Sequence, residues 1–246
     1  MSNIFSNNYL ANRPIELAMQ KFARLFSSSQ QVLDIGCGYM PYKKFFSCHY
    51  IGADPLPAVQ PDIVCDAWQV PYPDHSFDGI ILNQSLEHIL RPNATAKEIY
   101  RVLKPGGRLI VTTPQTMKNH SVAIPSAEAP FKNFNLLNQP YWQNDFFRFT
   151  KYGLIALFHQ FSITDIYETT GYFASIFQLI NYFFASLTDQ PHLLSPLYFL
   201  NNLAGKTCDQ AAHTYINLKL PHARKFNYFI FSSLTINLIM LAKKPH

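Results

Sequence analysis

Two aspartates and two glycines carry the first chemical signal in the chain. The apolar run Val32-Leu33-Asp34-Ile35 breaks at Gly36-Cys37-Gly38, and Asp54 closes the next apolar run sixteen residues past Gly38. Glycines at such a break leave main chain with no Cβ in the way, and the carboxyl edge of an open parallel sheet is where ligands bind. A carboxylate about twenty residues further on is spaced to take up ribose hydroxyls. The pattern points to a nucleoside derivative. A dinucleotide calls for a third glycine, which lets the following helix pack close while its N-terminus holds the pyrophosphate. Pro41 occupies that place, so the glycines alone leave the choice of nucleoside open.

Such residues need strands and helices to hold them, and the apolar spacing predicts a succession of both. Ile15, Leu17, Ala18, Phe22, Leu25 and Phe26 predict a helix over 14–26. Strands are expected over 31–35, 50–53, 62–65, 77–82 and 108–113, with a short helix around 42–46. Another helix is expected over 94–103, capped by Asn93 and stopped at the turn Lys104-Pro105-Gly106-Gly107. Thr150 reads as the N-cap of a helix over 151–160, followed by strands over 162–169 and 234–242. Alternation of this kind is the mark of βαβ units and a mostly parallel sheet.

Two stretches fall outside that alternation. Residues 114–144 have no clear period and contain Pro114, Pro125, Pro130 and Pro140, as a lid or binding loop would. Residues 171–188, GYFASIFQLINYFFASLT, hold no charge but are interrupted by Ser175, Gln178, Asn181 and Ser186. A spanning helix, an interfacial helix and a buried or substrate-covering helix all fit that composition.

The 246 residues suffice for a single domain of residues 1–246, with a core at 30–115, a lid or substrate loop at 114–149 and an apolar helical insertion at 171–231. Charged residues are only 14% of the chain against 48% hydrophobic, a balance that suits much hidden surface or contact with something greasy. The net charge of +5 resides mostly in residues 189–246, which hold six Lys/Arg against two Asp/Glu. That excess fits a solvated basic face, an anionic membrane surface or nucleic acid. Cys37, Cys48, Cys65 and Cys208 show neither paired metal-ligand spacing nor a disulfide framework, so no metal is expected and a reducing cytoplasm fits. The start MSNIFSNNYLANRP lacks the cationic-then-apolar order of a secretory leader.

Beyond VLDIGCG, the segments CDAW (65–68), SFDGIILNQSLEHI (76–89) and LKPGGRLIVTTP (103–114) follow in order. Together they resemble the class I S-adenosylmethionine-dependent methyltransferases over residues 30–115, in the type-11-like group. The resemblance implies an α/β fold with a Rossmann-like, seven-stranded, mostly parallel sheet carrying an antiparallel edge strand, with helices on both faces. DFFRFTKYGL, residues 145–154, is similar to a motif of enzymes from bacterial cell-surface polysaccharide and lipid clusters.

Carried over residue by residue, the resemblance implies that Asp34, Gly36 and Gly38 line the methionine moiety of S-adenosyl-L-methionine, with Asp34 engaging its ammonium. It implies ribose contact by Asp54, adenine contact by Asp66 and Ala67, and a place for Asn83 beside the sulfonium. A cationic sulfonium and ammonium suit carboxylates and carbonyls, where a pyrophosphate would attract Lys or Arg. Each residue also has a plainer reading, Asp34 and Asp54 as caps and Asp66 as the start of a turn.

Methyl transfer is an in-line displacement, so much of the acceleration comes from holding the reactants in near-attack geometry, and a base is needed only for a protonated, weakly acidic acceptor. His88 is the first candidate base, since imidazole titrates near neutrality. His120 in the loop and Asp145 are the others, although Asp145 and Arg148 could simply pair with each other across one turn. Tyr141, Trp142, Phe146, Phe147 and Phe149 form an aromatic group suited to a flat or lipid-like acceptor, to a sugar, or to core packing. The leading reading is O-methylation of a small-molecule or lipid-linked glycan at or near the cytoplasmic face of a membrane. A non-catalytic, membrane-associated module that keeps the nucleoside site is the alternative. Nucleic-acid methylation ranks low, because Asn83-Gln84-Ser85-Leu86 stands where base-flipping relatives carry a proline-aromatic motif.

Overall fold

A computed structural model of the chain describes residues 2–117, 145–219 and 234–246. The chain divides into two compact units, one drawn from residues 1–21, 115–118 and 167–239 and the other from 22–114, 119–166 and 240–246. His120, Tyr141 and Trp142 lie outside the described residues.

Seven strands, β1 (Gln31–Ile35), β2 (His49–Asp54), β3 (Ile63–Val64), β4 (Phe77–Asn83), β5 (Leu103–Pro114), β6 (Ser162–Glu168) and β7 (Asn237–Lys243), make one sheet. Their order is β3-β2-β1-β4-β5-β7-β6. β1 pairs parallel with β2 and β4, β2 with β3, and β4 with β5. β7 is the antiparallel member, one place in from the β6 edge. Its hydrogen bonds run Gly106 to Lys244 and Gln115 to Ile236 along β5, and Thr169 to Asn237 and Thr164 to Leu241 along β6, one index rising as the other falls. This is the Rossmann-like, mostly parallel sheet expected from the sequence. Its central strands are continuous apolar runs because both faces are covered: Val32, Leu33, Ile80, Ile81, Leu82, Leu109, Ile110 and Val111 are all fully buried.

The register sets the site. Asp34 lies opposite Gly52 and Ile35 opposite Ala53, Ile35 is also opposite Leu82, and Asn83 is opposite Thr112. The carboxyl ends of β1, β2, β4 and β5 therefore reach one edge together, and it is outside that edge, at the switch in strand order, that open sheets of this kind bind ligands.

Several boundaries differ from the sequence reading, each for a local reason. The helix expected over 94–103 is α2 (Pro92–Val102), with Pro92 at its first turn and no side chain capping it. Proline serves well there because the missing N–H has no partner to lose, and Asn93 sits inside the helix. The Lys104-Pro105-Gly106-Gly107 segment is not a separate turn but an irregularity within β5, where the pairing with β4 jumps between Phe77 and Gly79. Gly106 at φ +73 takes up that bulge. Thr150 does cap the helix α3 (Lys151–Leu157), accepting from the Gly153 amide at 3.1 Å.

In the other unit, the first helix, α1, runs Tyr9–Ala23 and contains Pro14, rather than starting there. The Ala11 amide, an unpaired donor of the first turn, is accepted by the Gln178 side chain at 3.2 Å. That partner stands 167 positions away, which is why local spacing misplaced the start.

The uncharged stretch is α4 (Tyr172–Ser186), which packs against α5 (Ser195–Lys219). Among the described residues no helix is long and apolar enough to cross a membrane. Three of the four polar residues that interrupt α4 face inward, Ser175, Gln178 and Asn181 being fully buried, while Ser186 is exposed. Asn181 donates to Asn202 at 2.8 Å, and the Asn202 amide in turn donates to the carbonyls of Ile4 at 2.7 Å and Ser6 at 2.9 Å. Gly205 lets the two helices close, since a Cβ there would lie 3.0 Å from the Ala174 Cα. Replacing Asn202 with leucine strands a buried amide on Asn181 and two carbonyls. At roughly 1–3 kcal/mol per unsatisfied group, it is expected to lower stability by about 3 kcal/mol, read as a reduced urea midpoint.

Candidate functional site

The bend between β1 and the 3₁₀ turn Lys43–Phe45 is built from glycine for two separate reasons. Gly36 has φ +70, and a Cβ added to it would lie 2.5 Å from the Ser85 Cβ, so the approach of the two loop backbones excludes a side chain. Ser85 completes that contact by donating to the Ile35 carbonyl at 3.1 Å. Gly38 has φ +48 but nothing within 4 Å of an added Cβ. Its Cβ position faces open space.

Asp34 is 2% exposed. Tyr50, its neighbour across the β1–β2 pair, donates its hydroxyl to Oδ2. Oδ1 is buried and has no hydrogen-bond partner among the described residues. Burial pushes the carboxyl up to about 7, the Tyr50 hydrogen bond opposes that rise, and the nearby Asp54 charge adds to it. A buried acceptor left unmet costs on the order of 1–3 kcal/mol and asks for a donor.

Asp54 is not a cap, since the next helical turn, Pro57–Val59, begins at Leu56 with no side chain capping it; instead Oδ2 accepts from the Gly38 amide at 3.0 Å and Oδ1 from the Leu56 amide at 2.9 Å. The two bonds lock the glycine bend to the loop after β2. Each carboxylate oxygen keeps a second lone pair for another donor. Cys37 is buried between these carboxylates, and burial together with the charges of Asp34, Asp54 and Asp62 pushes its thiol up to about 12, so it stays neutral and unreactive.

Along the edge, Asp66 forms a turn through its main-chain carbonyl, which accepts from Gln69 at 3.0 Å. Burial raises its carboxyl and Arg91 lowers it. Ala67 is buried at 8% exposure, and Arg91 lies 5.4 Å over the Trp68 ring. Asn83 accepts at Oδ1 from the Thr112 hydroxyl at 2.7 Å, and the same hydroxyl receives the Gln84 amide at 3.2 Å. That bond ties β4 to β5 just before the chain turns at Gln84, which has φ +48.

The 3₁₀ turn Leu86–His88 follows. Glu87 is fully buried and His88 half-buried, with His88 Nε2 4.0 Å from Glu87 Oε1. The Glu87 carbonyl accepts from the amides of Phe146 at 2.8 Å and Phe147 at 3.2 Å, which brings the segment from Asp145 to Phe149 onto this turn. Asp145 and Arg148 meet in a two-point ion pair, Arg148 Nη1 on Oδ1 and Nη2 on Oδ2, as the spacing allowed. Phe146, Phe147 and Phe149 stand in a row with ring centroids 6.1 and 5.6 Å apart. Of the sequence-predicted residues, Asp34, Gly36, Gly38 and Asp54 form one connected bend, while His88 and Asp145 converge on Glu87. Sequence reasoning missed Tyr50, whose only local sign is its register opposite Val32, and Ser85, for which no signal exists.

Residues 33–111 match a family model described as a methyltransferase domain. The ubiquinone/menaquinone biosynthesis C-methyltransferase UbiE of Burkholderia orbicola (strain MC0-3) is 29% identical over a match covering 44% of this chain and 56% of that protein. The chain thus spans about half the length of the curated relatives it matches. The Haemonchus contortus phosphoethanolamine N-methyltransferase 2, solved in complex with S-adenosyl-L-methionine, superposes with a TM-score of 0.55 at 20% identity, covering 99% of this chain and 55% of that one. A SAM-dependent methyltransferase from Archaeoglobus fulgidus gives 0.53 at 15% identity and 95% of both chains. At these identities the structural likeness speaks for the fold.

Proposed function

We propose that this chain, which carries a class I S-adenosylmethionine-dependent methyltransferase domain, transfers a methyl group from S-adenosyl-L-methionine to the oxygen of a small-molecule, sugar or lipid-linked acceptor. The observation that carries the reading is Asp34: a buried carboxylate oxygen without a partner, beside a glycine bend whose second member faces open space. That arrangement fits a ligand bearing an ammonium group that must lie against bare main chain.

When bound, the cofactor supplies an electrophilic methyl on a sulfonium. The chain does the rest. Asp34 meets the ammonium with Oδ1 while Tyr50 holds Oδ2, so the carboxylate cannot swing away. Gly36 and Gly38 admit the methionine part, Asp54 accepts from the ribose with its remaining lone pairs, and Asp66 and Ala67 border the adenine. Asn83, fixed by Thr112, borders the sulfonium. His88 takes the proton from a hydroxyl acceptor, and Asp145, engaged by Arg148, shapes the aromatic row beside it instead of acting as a base. A lipid-linked acceptor would bring the chain to the cytoplasmic face of a membrane.

Incubation with methyl-labelled S-adenosyl-L-methionine and a panel of small hydroxyl, amine and thiol acceptors tests the reading. Label is expected in a hydroxyl compound. Tight cofactor binding with no transfer to any class would favour the non-catalytic module instead.

A further inference from the structure

Among the described residues, Glu87 is the one fully buried carboxylate of this edge whose side chain the methyl-transfer scheme leaves without a task. It sits at a crossing of three elements. Its own turn puts His88 Nε2 4.0 Å from its Oε1. The segment ahead of α3 brings Asp145 and Arg148 to its side chain and hangs the Phe146 and Phe147 amides on its carbonyl. From β5, the Thr113 hydroxyl faces it. We propose that Glu87 is a positioning residue that couples the proton-accepting imidazole of His88 to the Asp145–Phe149 segment, and that the acceptor is accordingly a hydroxyl that must lose its proton. This rests on the reading of the chain as a methyltransferase.

The chemistry balances without further reactants. An oxygen lone pair of the acceptor forms the new O–CH3 bond, the S–CH3 bond breaks with its electrons going to sulfur, and the hydroxyl proton moves to the His88 ring. A positive imidazolium then stands beside Glu87, which stabilises it as a carboxylate. A thiolate, or an amine bound in its neutral form, would arrive with a lone pair already free and would give such a pair nothing to do.

The groups facing Glu87 set the sign of its pH response. Burial pushes its carboxyl up to about 8, the Asp145 charge adds to the rise, and Arg148 and Thr113 oppose it. Below that pH Glu87 is protonated and lends His88 no charge. Above it the carboxylate favours the imidazolium. The two groups then titrate as a coupled pair.

Isotope-edited NMR of the His88 ring across pH 5–10 tests this with no acceptor present, the resonance being assigned by its loss in His88→Gln. The wild-type curve is expected to show a second inflection near pH 8, and Glu87→Gln is expected to lose it and to deprotonate at lower pH. A single inflection in the wild type, or identical curves in both proteins, overturns the proposal. The wild-type curve decides the matter even if Glu87→Gln does not fold. Calorimetric binding of S-adenosyl-L-methionine to the same samples separates the two readings: lost binding with the second inflection retained would count against the methyltransferase assignment and leave the coupling standing.

Discussion

Replacing Gly38 with leucine is expected to leave a folded protein that binds S-adenosyl-L-methionine at least about 100-fold more weakly, a loss of roughly 2.7 kcal/mol. The two glycines of the bend separate folding from binding. At Gly36 any side chain collides with Ser85 2.5 Å away, so Gly36→Ala should fail by unfolding. At Gly38 there is no such neighbour, and the cost to the fold is confined to a left-handed backbone angle, about 1–2 kcal/mol for an L-residue. The new side chain projects into the space assigned to the methionine part. Thermal melts and calorimetric titration on the two variants make the comparison. Undiminished binding by a folded Gly38→Leu protein would mean that the ligand does not pass over this bend.

Asp34→Asn should carry the second large effect, and it should move stability and binding in opposite directions. In the unfolded chain an aspartate titrates near 3.9, whereas burial holds Asp34 at about 7. Between those values the folded protein keeps a proton that the unfolded chain has released, so stability falls as pH rises and the full penalty, about 4 kcal/mol at most, is present above pH 7. Asparagine cannot ionise and keeps an acceptor for Tyr50. The variant's stability relative to wild type should therefore improve steadily from pH 4 to pH 8, as read by denaturant midpoints at each pH. Binding should weaken by about 2–5 kcal/mol, the usual result of removing one member of a buried charge pair. If the stability difference between the two proteins does not change with pH, burial does not hold the proton on Asp34.

How much of this was legible in sequence depends on how far away each cause lies. β1 spans the predicted 31–35 because an apolar run ending in glycine needs no distant information. Asp34, Gly36, Gly38 and Asp54 are likewise fixed by spacing, and the structure joins Gly38 to Asp54 by a direct hydrogen bond. Asp145 and Arg148 are three residues apart, and their pairing was visible for that reason. The start of α1 was not, because Gln178 supplies the missing acceptor from the far end of the chain. Nor was the orientation of α4, whose composition suggested a greasy contact while Gln178 turns inward to bond Asn7 and Ala11 and Asn181 turns inward to Asn202 of α5. The bulge at Gly106 looked like a turn because proline and glycine mark both, and only the shifted pairing with β4 tells them apart. Tyr50 reads as an ordinary strand residue until the β1–β2 register sets it beside Asp34.

Isothermal titration of the full chain with S-adenosyl-L-methionine at pH 7, in two buffers of different ionisation enthalpy, goes straight to the central claim. Saturable binding at one site, with proton release as Asp34 gives up its proton to face the ammonium, is the expected result, and reduced nicotinamide dinucleotide should give no heat. Saturable heat from the dinucleotide and none from S-adenosyl-L-methionine would contradict the account.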